Sequence, residues 1–329
     1  MSDGTAGFDF QPRFFVRASD GGSSIGLVSK ETRVPSTSSP TPDFSGLWIP
    51  LVTPFRGDAV DHAALTALAE GLAPLGIAGF VVCGSTGEAA ALDADEQLAV
   101  LATVAQAAPA LPRIMGLSGY HLGKTVAWVR RMNEQGLAGL LVPAPSYIRP
   151  SQAGLRAWFE AIAEASAVPM LVYDIPYRTG ATIARETLLA LAAEPRIRGV
   201  KDCGGDMAKT RALIADGRLQ VLAGEDAQIF STVAEGGAGA IAASAHLQTA
   251  RFVQVIRLLR DGRLAEARAR WQPLLPLIEA LFAEPNPGPL KAVLAQQGLM
   301  QDALRAPMTR AGDALRERLS QLLAALSRP

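Results

Sequence analysis

The sequence predicts an α/β fold: a closed (β/α)8 barrel with additional C-terminal helices. Three observations predict it. From Leu47 onward, short apolar runs alternate with amphipathic stretches eight times, at a repeat of roughly 20–30 residues. The runs are apolar throughout rather than at every second position, which marks parallel strands covered on both faces. No GxGxxG follows the first run, as an open dinucleotide-binding sheet would require. Eight units therefore favour the barrel over a doubly wound sheet, and about 250 residues are typical of such a TIM barrel.

The elements follow in order. The expected strands are "LWIPLV" (47–52), "GFVVCG" (79–84), "RIMGLS" (113–118), "GLLVPA" (139–144), "MLVYDI" (170–175), "IRGVK" (197–201), "QVLAG" (220–224) and "AIAAS" (240–244). The first helix, 61–76, carries Leu65, Leu68 and Leu72 on one face. The second, 93–108, opens on acidic residues suited to a helix N-terminus. Further helices are expected near 123–135, 151–166, 183–193, 206–216, 226–236 and 246–260. Beyond residue 260, "RLAEARARWQPLLPLIEALFAE" and the apolar stretches after 288 read as extra helices. This divides the chain into a catalytic barrel, 44–262, and a helical extension, 263–329.

Residues 1–43 differ in character. "DGGSSIGLVSKETRVPSTSSPTPD" is rich in Ser, Thr, Gly and Pro and has neither helix nor strand period, so a disordered leader is expected. It lacks the apolar core of a secretory signal, and Asp3, Asp9 and Asp20 have the wrong charge for a transit peptide.

Composition narrows the function. With 31 basic and 31 acidic side chains the formal charge is zero, which argues against a nucleic-acid partner; small anions remain within reach of one arginine or a helix N-terminus. Cys83 and Cys203 cannot build a disulfide framework, and His62, His121 and His246 make no metal-ligand spacing. A reducing, cytoplasmic setting without metal is the expectation. No apolar run approaches the ~20 residues that cross a bilayer, so no membrane partner is expected.

In such barrels the chemistry lies where strands end and the following loops begin. Lys201 closes the sixth strand and points into the barrel mouth, where poor solvation disfavours the ammonium form. Making a free lysine half neutral near pH 7.5 costs roughly 4 kcal/mol, which burial plus a nearby cation such as Arg178 would supply. The amine could then attack a ketone and form a Schiff base. A lysine snorkelling from the strand end, or paired with Asp202, fits this one residue as well.

Its neighbours decide. Tyr173, near the end of the fifth strand, would stand beside Lys201 across the sheet and shuttle protons, unless it is an ordinary half-buried tyrosine. Ser85 and Thr86 lie in a turn between Gly84 and Gly87, where backbone N–H groups could grip a carboxylate; a plain helix cap with Glu88 in a capping role is the alternative. Arg178, on a loop between Pro176 and Gly180, offers a fork for a second carboxylate or a salt bridge at the rim. Together these groups point to one barrel mouth.

"GSTGE" (84–88), "YDIPYRTG" (173–180), "GVKD" (199–202), "AGEDA" (223–227) and "FAEPNPGPLK" (282–291) resemble, in order, the dihydrodipicolinate synthase/N-acetylneuraminate lyase family of class I aldolase barrels, across residues 46–310. The resemblance implies that Lys201 forms an imine with pyruvate, so that no cofactor is needed. It implies that Tyr173 relays protons and that Ser85 and Thr86 hold the pyruvate carboxylate, with Ile241 of the eighth strand also counted as substrate-binding. Arg178 matches the arginine that, in the synthase branch, binds the carboxylate of aspartate semialdehyde. Tyr147 matches the tyrosine that synthases lend across a subunit interface to the relay. A homo-oligomer, a tetramer of tight dimers, follows by resemblance.

The implied reaction is condensation of pyruvate with L-aspartate 4-semialdehyde to 4-hydroxy-tetrahydrodipicolinate, on the route to lysine and diaminopimelate. The alternative is cleavage of a sugar-derived 2-keto acid such as N-acetylneuraminate or a 2-keto-3-deoxy sugar acid. A keto-acid sensor without turnover is the third reading; loss of Lys201 or Tyr173 would have suggested it. Departures from the synthase pattern are Ser85 for threonine, "VKDCGG" for "IKEATG", "YDIP" for "YNVP", and Ser146 for a tyrosine. Asp202 and Cys203 are thus expected to alter the pocket beside the imine, and Asp174 to stand behind the relay tyrosine. At the positions where lysine-inhibited synthases hold lysine, this chain has Lys124, Tyr120 and Ser146, which predicts weak or absent feedback inhibition.

Overall fold

The computed structural model describes residues 42–326. The expected leader lies, but for its last two residues, outside the described residues. Eight parallel strands close into a barrel: β1 (Gly46–Pro50), β2 (Gly79–Val82), β3 (Arg113–Gly116), β4 (Gly139–Pro143), β5 (Met170–Asp174), β6 (Ile197–Asp202), β7 (Gln220–Ala223) and β8 (Gly239–Ile241). The first strand hydrogen-bonds to both β2 and β8, which removes every free edge.

Strand alternation explains the continuously apolar runs. Trp48, Val81, Ile114, Leu141 and Leu171 turn inward and fill the barrel. Their neighbours Ile49, Phe80, Val82, Leu140, Val142 and Val172 turn outward under the helices. The floor is tied by the Trp48 indole, which donates to the Phe44 carbonyl at 2.8 Å.

Eight helices form the outer layer: α1 (His62–Leu72), α2 (Ala94–Ala107), α3 (Leu122–Met132), α4 (Gln152–Ala165), α5 (Arg185–Leu191), α6 (Met207–Asp216), α7 (Ile229–Ala234) and α8 (Thr249–Arg260). The acidic start of α2 is a capping box: the Asp93 side chain accepts from the Glu96 N–H and the Glu96 side chain accepts from the Asp93 N–H. Asp206 caps α6 in the same spirit, accepting from the N–H groups of Ala208 and Lys209.

Two helices begin later than their sequences suggest, for identifiable reasons. The stretch expected from 226 starts as a 3-10 turn, Asp226–Gln228, because the Asp226 side chain binds Ser244 instead of capping. The stretch expected from 246 is interrupted at Gln248, whose φ of 52° is left-handed, so α8 opens at Thr249. A short helical turn, Pro176–Thr179, follows β5 where a loop was expected, and it carries Arg178.

Four more helices follow: α9 (Leu264–Trp271), α10 (Leu275–Leu281), α11 (Gly288–Gln296) and α12 (Asp313–Leu326). The segments between them return to the barrel mouth. Arg305 donates to Glu96, to the Ala91 carbonyl and to the Asp58 carbonyl, and its guanidinium lies over the Phe55 ring. Among the described residues no helix is long and apolar enough to cross a membrane.

Candidate active site

The site begins with strand register. Tyr173 on β5 is the direct partner of Lys201 on β6, so both side chains enter the mouth side by side. The Lys201 Nζ donates to the Tyr173 hydroxyl at 3.2 Å and stands 4.3 Å from the ring centroid. Both residues are nearly inaccessible, 5% and 7% exposed. The Tyr173 hydroxyl also lies 3.5 Å from the Ser85 Oγ, which links a hydroxyl, a phenol and an amine in one line. Burial, reinforced by the neighbouring Cys203, pushes the phenol well above its ordinary range, against the smaller opposing effects of Ser85 and the Arg178 charge. Tyr173 therefore holds its proton at neutral pH.

Space for the amine comes from a glycine. A side chain at Gly224, at the end of β7, would sit 2.8 Å from Lys201 Cγ and 3.0 Å from Cε, and closer still to the Cys203 sulfur. Cys203 joins Tyr173, Ile175 and Ile241 in the barrel-interior cluster. Burial drives its thiol well above the usual range, with Lys201 pulling the other way. Both cysteines are free and buried.

The turn after β2 supplies donors. Cys83 and Glu88 both take left-handed φ values, 54° and 53°, and bracket a tight bend in which the Gly87 and Ala89 N–H groups return to the Gly84 carbonyl. Among the described residues nothing accepts from the N–H groups of Ser85 and Thr86. Glu88 has no capping role. Its carboxylate is buried against Lys291 of α11 and accepts from the Arg305 N–H.

Arg178 projects from its helical turn into a cavity of about 350 Å³ shared with Ser85, Tyr173, Asn286 and Met308. Its guanidinium donates to the Asn286 carbonyl at 3.4 Å and makes no ion pair among the described residues. Ile241 is fully buried on β8. Tyr147 stands apart from this group: it is 87% exposed, with φ of 75°. Within one chain, then, Lys201, Tyr173, Ser85, Thr86, Arg178 and Ile241 gather at one end of the barrel, and Tyr147 does not join them.

The expectation for Asp202 is corrected. Asp202 neither pairs with Lys201 nor faces the amine; alternation sends it to the outer face, where it accepts from the Thr210 hydroxyl and, at 2.8 Å, from the Gly204 N–H. Asp174, its partner across the sheet, is likewise outside and pairs with Lys209 of α6. Burial raises the Asp174 carboxyl above its ordinary range, and Lys209 offsets part of that.

Sequence reasoning missed several residues. Lys209 reads as a surface helix residue but is 4% exposed. Asp226 is buried near Lys201 and accepts from the Ser244 N–H and hydroxyl at 2.7 and 2.6 Å; burial nevertheless pushes its carboxyl up to about 6. Asn286 donates to the Thr86 hydroxyl at 3.0 Å across 200 residues of sequence. Its "PNPGP" setting was the one available signal, since a rigid turn can present an amide at a fixed place.

The model of the Dihydrodipicolinate synthetase family matches residues 43–326. A 4-hydroxy-tetrahydrodipicolinate synthase of Sorangium cellulosum is 38% identical over 285 residues, 85% of this chain and 95% of the relative. Two solved structures superpose with a TM-score of 0.83. One is the chloride-inhibited dihydrodipicolinate synthase of Acinetobacter baumannii complexed with pyruvate, 29% identical, covering 85% of this chain and 98% of that one. The other is the enzyme of Cyanidioschyzon merolae with lysine bound, 30% identical, covering 86% and 98%.

Proposed function

The chain belongs to the dihydrodipicolinate synthetase family, and from that premise we propose that it condenses pyruvate with L-aspartate 4-semialdehyde to 4-hydroxy-tetrahydrodipicolinate. The single observation that carries the reading is the buried Lys201–Tyr173 pair at 3.2 Å.

The unprotonated Lys201 amine attacks C2 of pyruvate. Tyr173 delivers a proton to the carbinolamine oxygen, water leaves, and an imine remains. The iminium acidifies the pyruvate methyl; Tyr173, with Ser85 behind it, takes the proton and leaves an enamine. The enamine carbon then attacks the acceptor aldehyde, whose oxygen is protonated through the same relay. Attack of the acceptor's own amine on C2 closes the ring and releases Lys201. The imine is itself the electron sink, so the scheme calls on no cofactor or metal.

The remaining groups take binding roles. The free N–H groups of Ser85 and Thr86 and the Thr86 hydroxyl hold the pyruvate carboxylate, Ile241 supplies an apolar wall, and Arg178 clamps the acceptor carboxylate. Tyr147, exposed in one chain, extends the relay of a neighbouring copy, which makes the working form a homo-oligomer, a tetramer of tight dimers. The catalytic groups belong to a barrel of residues 44–262, and the extension from 263 walls its mouth. Two free, buried cysteines suit a cytoplasmic setting.

Borohydride reduction in the presence of pyruvate, followed by peptide mass mapping, tests the chemistry: a pyruvyl adduct on Lys201 is expected, and its absence would sink the proposal. A coupled assay with aspartate semialdehyde, against N-acetylneuraminate and 2-keto-3-deoxy sugar acids, tests the acceptor. Ser85 and Cys203 beside the relay favour the cleavage reading enough to make those competitors necessary.

A further inference from the structure

Thr86 is buried at the mouth, and its hydroxyl accepts a hydrogen bond from the Asn286 side-chain amide at 3.0 Å. The direction of that bond has a chemical consequence. An amide NH2 donates and cannot accept, so the Thr86 oxygen is the receiving partner and its own proton must go elsewhere. Among the described residues no other group bonds to that hydroxyl. The N–H groups of Ser85 and Thr86 in the same turn are likewise without acceptors. One short turn thus presents three donors and no competing acceptor, the arrangement an anionic oxygen needs.

Asn286 does not belong to the barrel. It comes from the segment between α10 and α11, lines the same cavity, and accepts from Arg178 through its main-chain carbonyl. The two contacts use different atoms, so a change of side chain alters the Thr86 bond and leaves the Arg178 bond in place.

We propose that Asn286 is a positioning residue that orients the Thr86 hydroxyl proton toward the substrate keto-acid carboxylate. The inference rests on the reading that this turn holds that carboxylate. Asp at this position would reverse the bond: its carboxylate would accept the Thr86 proton and set a negative charge beside the anion site. Ala would leave the hydroxyl free to turn.

The test is borohydride trapping on Lys201 as a function of pyruvate concentration, in the full chain and in Asn286→Ala, Asn286→Asp, Thr86→Val and Thr86→Val/Asn286→Ala variants. Half-saturation is expected to rise about tenfold in Asn286→Ala and about a hundredfold in Asn286→Asp, the range for a lost charge-assisted bond and an added like charge. The trapping yield at saturation stays unchanged in both, and the KM for the aldehyde acceptor stays unchanged in Asn286→Ala, which keeps the main-chain carbonyl that Arg178 binds. In the Thr86→Val background, Asn286→Ala adds less than about twofold, because the residue acts through Thr86. Trapping of acetone, which lacks the carboxylate, is unaffected in Asn286→Asp. Equal pyruvate saturation in the wild type and Asn286→Asp would overturn the inference, as would a full Asn286→Ala effect without Thr86 or an equal loss with acetone. Asp is nearly isosteric with Asn, so that variant decides even where Asn286→Ala does not fold. A wild-type chain that traps no pyruvate on Lys201 fails at the earlier step and overturns the imine reading instead.

Discussion

Lys201 and Lys209 lie eight residues apart and are buried to almost the same degree, 5% and 4% exposed, yet they occupy opposite faces of the barrel wall. Lys201 points inward and meets a phenol; among the described residues it has no ion pair. Lys209 approaches from the helix layer and is held by the Asp174 carboxylate and the Ile183 carbonyl. Lys291, also fully buried, is neutralised in the same way by Glu88. The contrast separates two uses of a buried amine. A carboxylate partner ties the amine into an ion pair and makes it part of the frame. A phenol partner sets no opposite charge against the amine, as the proposed nucleophile requires.

The largest test of this contrast is at the inner face. Lys201→Ala is expected to lower turnover by about six orders of magnitude, the scale for a lost nucleophile, and to abolish trapping. Tyr173→Phe keeps the amine and loses the proton relay, so kcat is expected to fall about 10²–10⁴-fold while slow trapping persists. Turnover surviving Lys201→Ala in a steady-state assay would break the distinction outright.

At the outer face the effect is one of stability. Lys209→Met leaves Asp174 buried without its cation and is expected to cost about 3–5 kcal/mol in denaturant unfolding. The Asp174→Asn/Lys209→Met double variant, which removes both charges, should recover most of it. A double variant as unstable as the single one would mean that packing, and not charge, is what Lys209 supplies.

A smaller effect separates Asp226 from His246, two buried groups with opposite pH signs. The folded Asp226 carboxyl, pushed up to about 6 by burial, holds a proton that the unfolded chain loses near 3.8; its contribution to stability is complete at low pH and is lost as pH rises through about 6. Burial pushes His246 down to about 4, so its contribution is present above pH 6.5 and is lost as pH falls towards 4. Its ring suits the neutral form, accepting from the Val52 N–H at one nitrogen and meeting the Ala243 carbonyl at the other. Asp226→Asn removes the first slope only. Its Tm relative to the wild type is therefore expected to climb by roughly 5 °C between pH 4 and 6.5 in calorimetry; a flat difference would refute the assignment.

The smallest expected effect is none at all. Tyr120, His121, Lys124 and Trp128 line a hollow that adjoins the active-site cavity at Leu117, Ser118 and Gly119, and an exposed Lys124 there is expected to repel a lysine ammonium. Activity should stay above half at millimolar L-lysine; half-inhibition below that range would contradict it.

Much of the barrel is legible in the sequence, because apolar runs and amphipathic stretches repeat with a period that one architecture accepts. Lys201 and Tyr173 were legible too, since each sits at a strand end and adjacent parallel strands place such ends together. Element boundaries were less so where a side chain had a distant partner: the helix expected from 226 opens as a 3-10 turn because Asp226 binds Ser244 from the next loop. Asp202 misled for a related reason. Its position beside Lys201 suggested the pocket, whereas a one-residue step along a strand reverses the face.

By itself, then, the sequence determined what is local or periodic: the strand and helix succession, the acidic opening of α2, and which strand ends carry an amine, a phenol and a glycine-bracketed hydroxyl pair. Only the tertiary structure decided which buried charges neutralise one another and which donors stay free. Lys209 meets Asp174 from across 35 residues, Lys291 meets Glu88, and Asn286 reaches Thr86 across 200. Contacts of that span have no period to read, because they depend on where barrel closure and the returning C-terminal segments bring separate parts of the chain together.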